Sequence, residues 1–320
     1  MSEKTIQLNE SIKGFMFHCQ YEKNLSPKTI NAYSIDLEQF RSYIKEQNAN
    51  SDTNAISKDL IKGYLQTIYH FKPKTVKRKV ASLKAMFNYL EYENDNFINP
   101  FRKIKIRFKE PQTLPLVMTI SEVKKILGIL YDDLNSNSKT ETYTYKAQVR
   151  NIAIVELLFA TGMRISELCN LKTSDIDLKT GVIKVFGKGS KERIIQLCNS
   201  DIKSLLKKYR KLHANHIMDN DCFFINRLGQ PISTQSVRLM LHQYVRKSGV
   251  SKHVTPHTFR HTFATLLLEE NVDIRYIQNM LGHSTITTTQ IYTHINTESQ
   301  KRILTTKHPR RKLNFSVPNN

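Results

Sequence analysis

Residues 255–294 read TPHTFRHTFATLLLEENVDIRYIQNMLGHSTITTTQIYTH, and their first part predicts a helix with one cationic face. Proline is favoured in the first turn of a helix, so Pro256 marks the start. His257, Arg260 and His261 then stand at i, i+3 and i+4, which places them on one side of that helix. Guanidinium and imidazole groups on a common face can bind an anion.

The second part of the stretch predicts a shorter amphipathic helix over residues 273–281. Its apolar side would hold Ile274, Ile277, Met280 and Leu281. Glycine commonly ends helices, so Gly282 places His283 just beyond the helix end. Tyr292 follows the polar, β-branched run TITTTQI, a plausible flexible carrier that lets the tyrosine enter or leave a site.

These residue types have a joint use in phosphoryl transfer. Arginine binds non-bridging phosphate oxygens, histidine hydrogen-bonds or moves protons, and a tyrosine oxygen can attack phosphorus to form a covalent ester. Candidates for a second arginine and a leaving-group acid lie upstream, as Arg164 in ATGMRISELCNL and Lys188 in VFGKGSKERIIQL. Glu167 is predicted to orient its neighbours, because a carboxylate beside a phosphate would repel it.

In this order the segments resemble the tyrosine recombinase (phage integrase) family, which includes the Xer recombinases, integron integrases and integrases of mobile elements. The family pattern is Arg, Lys, His-x-x-Arg, His and Tyr. Its members here are Arg164, Lys188, His257, Arg260, His283 and Tyr292. The resemblance is strong over residues 119–294 and weaker over the first part of the chain.

The resemblance implies a reaction that needs neither a metal nor a nucleotide cofactor. Tyr292 would attack the scissile phosphate, leaving a 3′-phosphotyrosyl link and a free 5′-hydroxyl. The supporting roles would fall to Arg164 and Arg260 on the phosphate oxygens, Lys188 as leaving-group acid, His257 in proton removal and His283 as a further phosphate donor. The sequence agrees, since it contains no P-loop and no carboxylate cluster of the two-metal kind.

The resemblance also implies the partners. They are double-stranded DNA with paired recombination half-sites and a tetramer of this chain assembled on it, with the C-terminal tail docking on a neighbouring protomer. An accessory or directionality protein is an open question, as is the biological role, which is either integration and excision of a mobile element or resolution of dimers. The start of the chain directly at the core-binding region favours a Xer-like or transposon-type layout.

The expected fold is mainly α with a small β-sheet. An N-terminal four-helix core-binding domain is predicted at residues 1–98 and a basic interdomain linker at residues 99–115. An α+β tyrosine-recombinase catalytic domain would follow at residues 116–320, with its tail from about residue 297. The division and the first domain's DNA-binding role both rest partly on the resemblance.

Helical periodicity predicts the four N-terminal helices, the second to fourth of which start near Ser26, Ser57 and Pro73. The fourth carries basic residues off its apolar stripe, Lys79 among them, and such a face suits a DNA groove or backbone. The linker is predicted to be extended, without a helical cap. The candidate DNA-binding residues are Lys74, Lys77, Arg78 and Lys84 on the helix, and Arg102, Lys103, Lys105 and Arg107 in the linker.

Local signals also outline the second domain. Thr119 and Glu122 form a capping box that opens its first helix. The remaining predictions are a loop at 132–145, helical spacing from Ile152, a break at Gly162, a hairpin at 181–197, a strand at 222–225, a helix from Ser233, and a tail helix at 297–304 with little beyond it.

Composition agrees with a polyanionic partner. The 320 residues include 49 Lys and Arg against 28 Asp and Glu, a formal net charge of +21. The four cysteines, Cys19, Cys169, Cys198 and Cys222, form no CxxC pair and are expected to be reduced. No apolar signal or membrane-length run is present, so a cytoplasmic protein without membrane contact is expected.

Three other readings stay open at this point. A type IB topoisomerase-like enzyme would use similar residues to nick and reseal one duplex, and strand exchange between two bound sites would distinguish it. An architectural DNA-binding protein could carry a vestigial site, although the complete residue set argues against this. A metal site at the histidines is disfavoured, because neither CxxC nor HExxH spacing occurs.

Overall fold

The computed structural model describes residues 7–47, 49, 52–106, 115–137, 142–187, 192–282 and 297–315. The described chain is mainly helical with one small sheet, which confirms the predicted fold class. Its contacts divide it into two compact units, Met1–Thr113 and Leu114–Asn320. None of the described helices has both the length and the apolar character needed to cross a membrane.

The first unit is built from the four predicted helices, α1 (Leu8–Phe17), α2 (Pro27–Glu46), α3 (Lys58–Thr67) and α4 (Pro73–Glu93), with a π-helical turn at His18–Glu22. Ser26 and Ser57 cap α2 and α3, because each hydroxyl accepts a hydrogen bond from an amide three residues on, at 3.3 and 3.2 Å. The apolar stripes meet in one core, where Phe40 and Phe87 are fully buried.

The start of the predicted linker belongs to this unit, which corrects the expectation of an extended and uncapped segment. Asn99 caps a 3₁₀ turn at Pro100–Lys103 by accepting a hydrogen bond from the amide of Phe101 at 3.0 Å. Phe101 is only 6% exposed, and its ring centroid lies 5.5 Å from that of Phe87. Burial of this ring therefore holds the turn against the helices.

Lys79 is a second correction, because it does not lie on the exposed basic face of α4. It is 2% exposed, and its ammonium group donates to Asp36 at 3.3 Å and also to Gln39. A lysine can be buried when its charge is paired and its hydrogen bonds are satisfied. Lys79 thus serves the interior of the unit.

The second unit packs its helices around α6, whose residues 152–160 are all buried. Its helices are α5 (Ile120–Asn135), α6 (Tyr143–Thr161), α7 (Ile165–Cys169), α8 (Ser200–Leu212), α9 (Ala214–Asn220), α10 (Thr234–Lys247), α11 (Pro256–Glu269), α12 (Ile274–Leu281) and α13 (Thr297–Lys307). The capping box at the start of α5 is confirmed, since the Thr119 amide donates to Glu122 at 2.7 Å and the Glu122 amide to the Thr119 hydroxyl at 3.2 Å.

The predicted loop at 132–145 is wrong over much of its length. Helix α5 continues to Asn135, since Leu134 extends its apolar stripe and is 2% exposed. Helix α6 already begins at Tyr143, after Thr142 caps it by accepting from the amide of Tyr145 at 3.2 Å. Polar composition hid two helix ends here, because the capping residues are themselves polar.

The sheet contains β1 (Ile176–Asp177), β2 (Val182–Phe186) and β3 (Glu192–Gln196), all antiparallel in that order. The strands of the predicted hairpin are confirmed, with Ile183 opposite Ile195, while its tip at 188–191 is outside the described residues. The predicted strand at 222–225 is wrong. Its ends make single bridges to different segments, Cys222 to Lys172 and Ile225 to Pro231, so no ladder forms.

The tail carries more structure than predicted. Helix α13 reaches Lys307, and a 3₁₀ turn follows at Pro309–Lys312. Arg310 in that turn is 1% exposed, and its guanidinium donates to both carboxylate oxygens of Glu156 on α6, at 2.8 and 2.9 Å. This buried ion pair anchors the tail to its own unit.

Candidate active site

Arg164 lies at a junction between two helices, as predicted. Helix α6 ends at Thr161, Gly162 caps it with a φ of +60° that reverses the chain, and Arg164 is the residue before α7. Glu167 accepts from the Arg164 amide at 2.7 Å and from its Nη1 at 2.8 Å. The Glu167 side chain is 4% exposed and that of Arg164 34%. Glu167 therefore orients Arg164 and leaves part of its guanidinium open to solvent.

Arg193 on β3 binds the same carboxylate and was missed by the sequence reasoning. Its Nη1 and Nη2 donate to the two oxygens of Glu167 at 3.0 and 2.7 Å. The missed signal was strand parity. Arg193 is two residues before the buried Ile195 and opposite the buried Val185, so it shares their face of the sheet and its charge needed a partner there.

The charge of Glu167 is held by these donors. Burial alone would raise the pKa of the carboxyl, but the hydrogen bonds from Arg193 and from the Arg164 amide outweigh it, so the pKa lies below its usual value. Glu167 is therefore ionised at neutral pH, and it acts as a fixed anion between two guanidinium groups.

Arg260 on α11 is brought to the same place. Pro256 is the first residue of α11 and Thr255 its cap, as the sequence predicted. Arg260 is 5% exposed, and its two terminal nitrogens donate to the carbonyls of Gly162 at 2.9 Å and Leu281 at 2.6 Å. Burial, followed by the nearby charges of Arg164 and Arg193, lowers its pKa to about 10, which still leaves a cation at pH 7.

The two histidines of α11 are exposed, whereas Arg260 between them is buried. Partial burial, together with the neighbouring His257 and Arg260, lowers the pKa of His261 below its ordinary value. A neutral imidazole at pH 7 can accept a proton, so His261 places an uncharged base next to the Arg260 cation.

The three arginines converge on the end of α12. The carbonyls of Met280, Leu281 and Gly282 accept hydrogen bonds from Arg193 at 2.8 Å, Arg260 at 2.6 Å and Arg164 at 3.3 Å, respectively. Carbonyls at a helix C-terminus lack partners within the helix and carry partial negative charge, which favours guanidinium groups there. Three cations against one carboxylate leave a positive excess, which suits an anion.

Gly282 is required by this arrangement. Its φ is +66°, and a Cβ at this position would lie 3.1 Å from Cδ of Arg193. The prediction that Gly282 ends the helix is confirmed. The predicted apolar side of α12 is correct for Ile277, Met280 and Leu281, but wrong for Ile274, which is 53% exposed in the first turn.

The predicted site residues divide into two groups. The structure brings Arg164 and Arg260 together, with His257 on the same helix as Arg260. The others, Lys188, His283 and Tyr292, lie outside the described residues. Among the residues that are described, no three His, Cys, Asp or Glu side chains are grouped as metal ligands would be.

The predicted DNA-binding residues all belong to the first unit, on α4 and in the segment that follows it. Lys74, Lys77 and Arg78 are exposed on α4, while Lys84 is half-buried with its ammonium 5.9 Å from the ring centroid of Phe101. In the following segment Arg102, Lys103 and Lys105 are exposed. Arg102 also pairs with Glu91 at 2.5 Å, and Arg107 is outside the described part of the chain.

Comparison with known families agrees with this architecture. Residues 118–299 match the model of the phage integrase family, and residues 12–94 match the N-terminal SAM-like domain of phage integrases. The first match contains the arginine cluster, and the second contains most of the four-helix unit.

Individual relatives are similar along nearly the whole chain. A tyrosine recombinase of Agathobacter rectalis is 48% identical, covering 96% of this chain and 99% of its own. The tyrosine recombinase XerD of Listeria innocua is 36% identical, covering 95% and 100%. The tyrosine recombinase XerC of Halalkalibacterium halodurans is 34% identical, covering 95% and 99%.

Solved structures share the fold. The XerH site-specific recombinase bound to its difH substrate in a pre-cleavage complex superposes with a TM-score of 0.68 at 25% identity, covering 90% of this chain and 83% of that one. A lambda integrase dimer bound to a COC′ core site gives a TM-score of 0.65 at 20% identity, covering 88% and 96%. The chain therefore belongs to the phage integrase family of tyrosine recombinases, the enzymes of site-specific DNA strand exchange.

Proposed function

We propose that the arginine cluster at the end of α12 binds a scissile DNA phosphate and that Tyr292 attacks it. The observation that carries this proposal is the convergence of Arg164, Arg193 and Arg260 on three successive carbonyls of residues 280–282. Buried or anchored guanidinium groups are preorganised, so they stabilise charge that develops on non-bridging oxygens without having to reorient.

The bond changes follow from these assignments. The Tyr292 oxygen forms a bond to phosphorus while the bond from phosphorus to the 5′-oxygen breaks, which yields a 3′-phosphotyrosyl link. His257 takes the tyrosine proton, and Lys188 gives a proton to the leaving 5′-oxygen. His283 follows Gly282 directly in sequence, which supports a role as a further donor to the phosphate. Attack of a partner strand's 5′-hydroxyl reverses these steps and joins the strands.

Among the described groups, Arg164 is the best placed to contact phosphate. Its side chain is 34% exposed, whereas those of Arg193 and Glu167 are 10% and 4% exposed. Arg260 is buried, but its guanidinium lies beside that of Arg164, whose charge lowers the pKa of Arg260. Arg164 is thus proposed to contact a phosphate oxygen directly. Arg260 is proposed to contribute positive electrostatic potential from its buried position.

The substrate is proposed to be a DNA duplex with paired half-sites, bound by four copies of this chain. XerH and lambda integrase, which share the fold, are solved on DNA substrates. In the described structure α13 packs on its own unit, where Gln300 bonds the backbone of Gln196 at 3.1 Å and of Ile194 at 3.2 Å. We propose that assembly on DNA exchanges this helix onto a neighbouring copy.

The location follows from the substrate. We infer that the protein works in the cytoplasm, together with the DNA that is its proposed substrate. Its four cysteines are free thiols, and burial raises the pKa of Cys169 to about 11, so this thiol stays protonated and unreactive.

The direct test is a trapping experiment on suicide DNA. Duplexes that the chain recovers from fragments of its own genome are nicked near the candidate cleavage site and incubated with protein in EDTA. Wild-type protein should form a covalent adduct with the 3′ end of the cleaved strand, and Tyr292→Phe should form none. Tyr276→Phe, which alters a half-buried tyrosine of α12, is the matched control and should still form the adduct.

The outcomes separate the competing functions. An adduct with Tyr292→Phe would remove Tyr292 from its role. Adducts that reseal only on one duplex, without joining two paired sites, would favour a topoisomerase-like enzyme. Tight DNA binding without any adduct would favour an architectural protein. Mass photometry of protein with paired sites should show four copies on two duplexes, and one copy per duplex would contradict the tetramer.

A further inference from the structure

We propose that Arg78 on α4 reads a guanine through the major groove and that Asp36 on α2 holds it in the reading orientation. This inference rests on the proposed binding of DNA by the first unit. It adds a base-specific contact to a helix face on which the neighbouring Lys74 is suited to a phosphate.

Asp36 is a buried carboxylate with every oxygen occupied. It is 0% exposed, and it accepts hydrogen bonds from Arg78, from the Ser82 hydroxyl at 2.7 Å and from the Lys79 ammonium at 3.3 Å. Removing a partner from a buried charge is costly, so the position of this carboxylate is well determined. The negative charge of Asp36 is already balanced by Lys79. The positive charge of Arg78 is therefore in excess and can attract DNA.

Arg78 uses one nitrogen for this anchorage. Nη1 donates to Asp36 and lies 3.5 Å from the carbonyl oxygen of Ala32. The side chain is 44% exposed. Among the residues that the structure describes, none accepts a hydrogen bond from Nε or Nη2 of Arg78. These two donors form one edge of the planar group, and a guanidinium edge matches the O6 and N7 acceptors of guanine.

The neighbouring cations differ from Arg78 in this respect. Lys74 lies one helical turn before it on the same face and is exposed. Its single ammonium group is free to rotate and matches a phosphate as a point charge. Lys79 is turned inward, where its ammonium lies 5.2 Å from the ring centroid of Phe71. Arg78 is therefore the exposed cation of this face that is both forked and anchored.

A helix fits the major groove of B-DNA. A guanidinium that is already held by Asp36 loses less conformational entropy on binding a base than a freely moving side chain does. Phosphate contacts position a protein, while base contacts specify the sequence. Lys74 and Arg78, at i and i+4 of α4, are thus assigned to the two tasks, the lysine to the backbone and the arginine to a base edge.

The test is selection of bound duplexes from a random-sequence pool by the full-length chain and its variants. Wild-type protein should enrich a motif that contains a guanine. Arg78→Lys keeps the charge but removes the fork, so it should lower the preference for that guanine roughly 5- to 150-fold. The matched control Lys74→Gln should weaken binding to all sequences alike and enrich the wild-type motif. Thermal unfolding would check that each variant is folded.

A second measurement needs no variant to fold. Replacing the selected guanine by 7-deazaguanine removes the N7 acceptor, and this should weaken wild-type binding. Wild-type binding that is unchanged by 7-deazaguanine, an unchanged motif for Arg78→Lys, or the absence of any motif for wild type would each overturn the inference. Adduct formation by Tyr292 on the selected duplexes is scored separately, so failure of the recombinase proposal would be visible on its own.

Discussion

Replacing Glu167 by Gln tests the reasoning about the active site most directly. The substitution keeps the shape of the side chain but removes the charge that two arginines share. The Arg193–Glu167 pair is nearly buried, with side chains 10% and 4% exposed. Removing one partner of a buried pair costs about 3–5 kcal/mol. The Arg164 side chain is 34% exposed. Solvent therefore screens its ion pair with Glu167, which adds little to this value.

The loss should be visible as a fall in melting temperature and as a change in its pH dependence. For a unit of this size each kcal/mol corresponds to about 2–4 °C, so a fall of roughly 10 °C is expected. Because the pKa of Glu167 is lowered by folding, its charge stabilises the protein above the unfolded pKa of about 4.3. This contribution is lost as the pH falls through the folded-state pKa, so the difference between wild type and Glu167→Gln should close in acid.

Cleavage of suicide DNA should slow by about a hundredfold, the cost of losing one preorganised donor, if Arg164 depends on Glu167 for its orientation. Glu122→Gln is the matched control. Glu122 is also the capping-box glutamate of its helix and pairs with Lys252 at 2.8 Å, but its side chain is 21% exposed. It should cost about 1 kcal/mol and leave cleavage unchanged. Wild-type cleavage and less than 1 kcal/mol of destabilisation for Glu167→Gln would refute the assignment.

Two further predictions concern other parts of the second unit. The His308 Nε2 donates to the Ala160 carbonyl and Nδ1 accepts from the Arg310 amide, both at 2.9 Å, and burial lowers the pKa to about 4. Below pH 6.5 only the unfolded chain gains a proton, so unfolding free energy should fall by about 3 kcal/mol between pH 6.5 and 4 in urea titrations, and His308→Gln should flatten that dependence. In Gly162→Ala a Cβ would lie 2.6 Å from Phe263, at φ +60°, so a loss of about 2 kcal/mol is expected. Gly128→Ala, which meets open space in α5, should instead gain about 0.5–1 kcal/mol in the same unfolding assay.

Much of the fold could be predicted because helix starts are local. Ser26, Ser57 and Thr119 each bond an amide three residues on, so cap and helix are read from one short window. The ends were harder to place when polar caps looked like loop, as at Thr142. Part of the site could also be predicted, because Arg164 and Arg260 belong to an ordered set of residues whose types match one chemistry.

The remaining features depend on partners that are distant in sequence. Arg193 meets Glu167 across 26 positions, Lys79 meets Asp36 across 43, and Arg310 meets Glu156 across 154. Whether a charged side chain is buried depends on whether the fold supplies an opposite charge there, since an unpaired one would cost several kcal/mol. The sequence by itself determined the four helices of the first unit, the family's residue set and the positive charge, although it gave no prediction of α8 and α9. Only the tertiary structure decided which cations face solvent and which are buried, because a cation is buried only where the fold brings a carboxylate or backbone carbonyls from a distant part of the sequence to it.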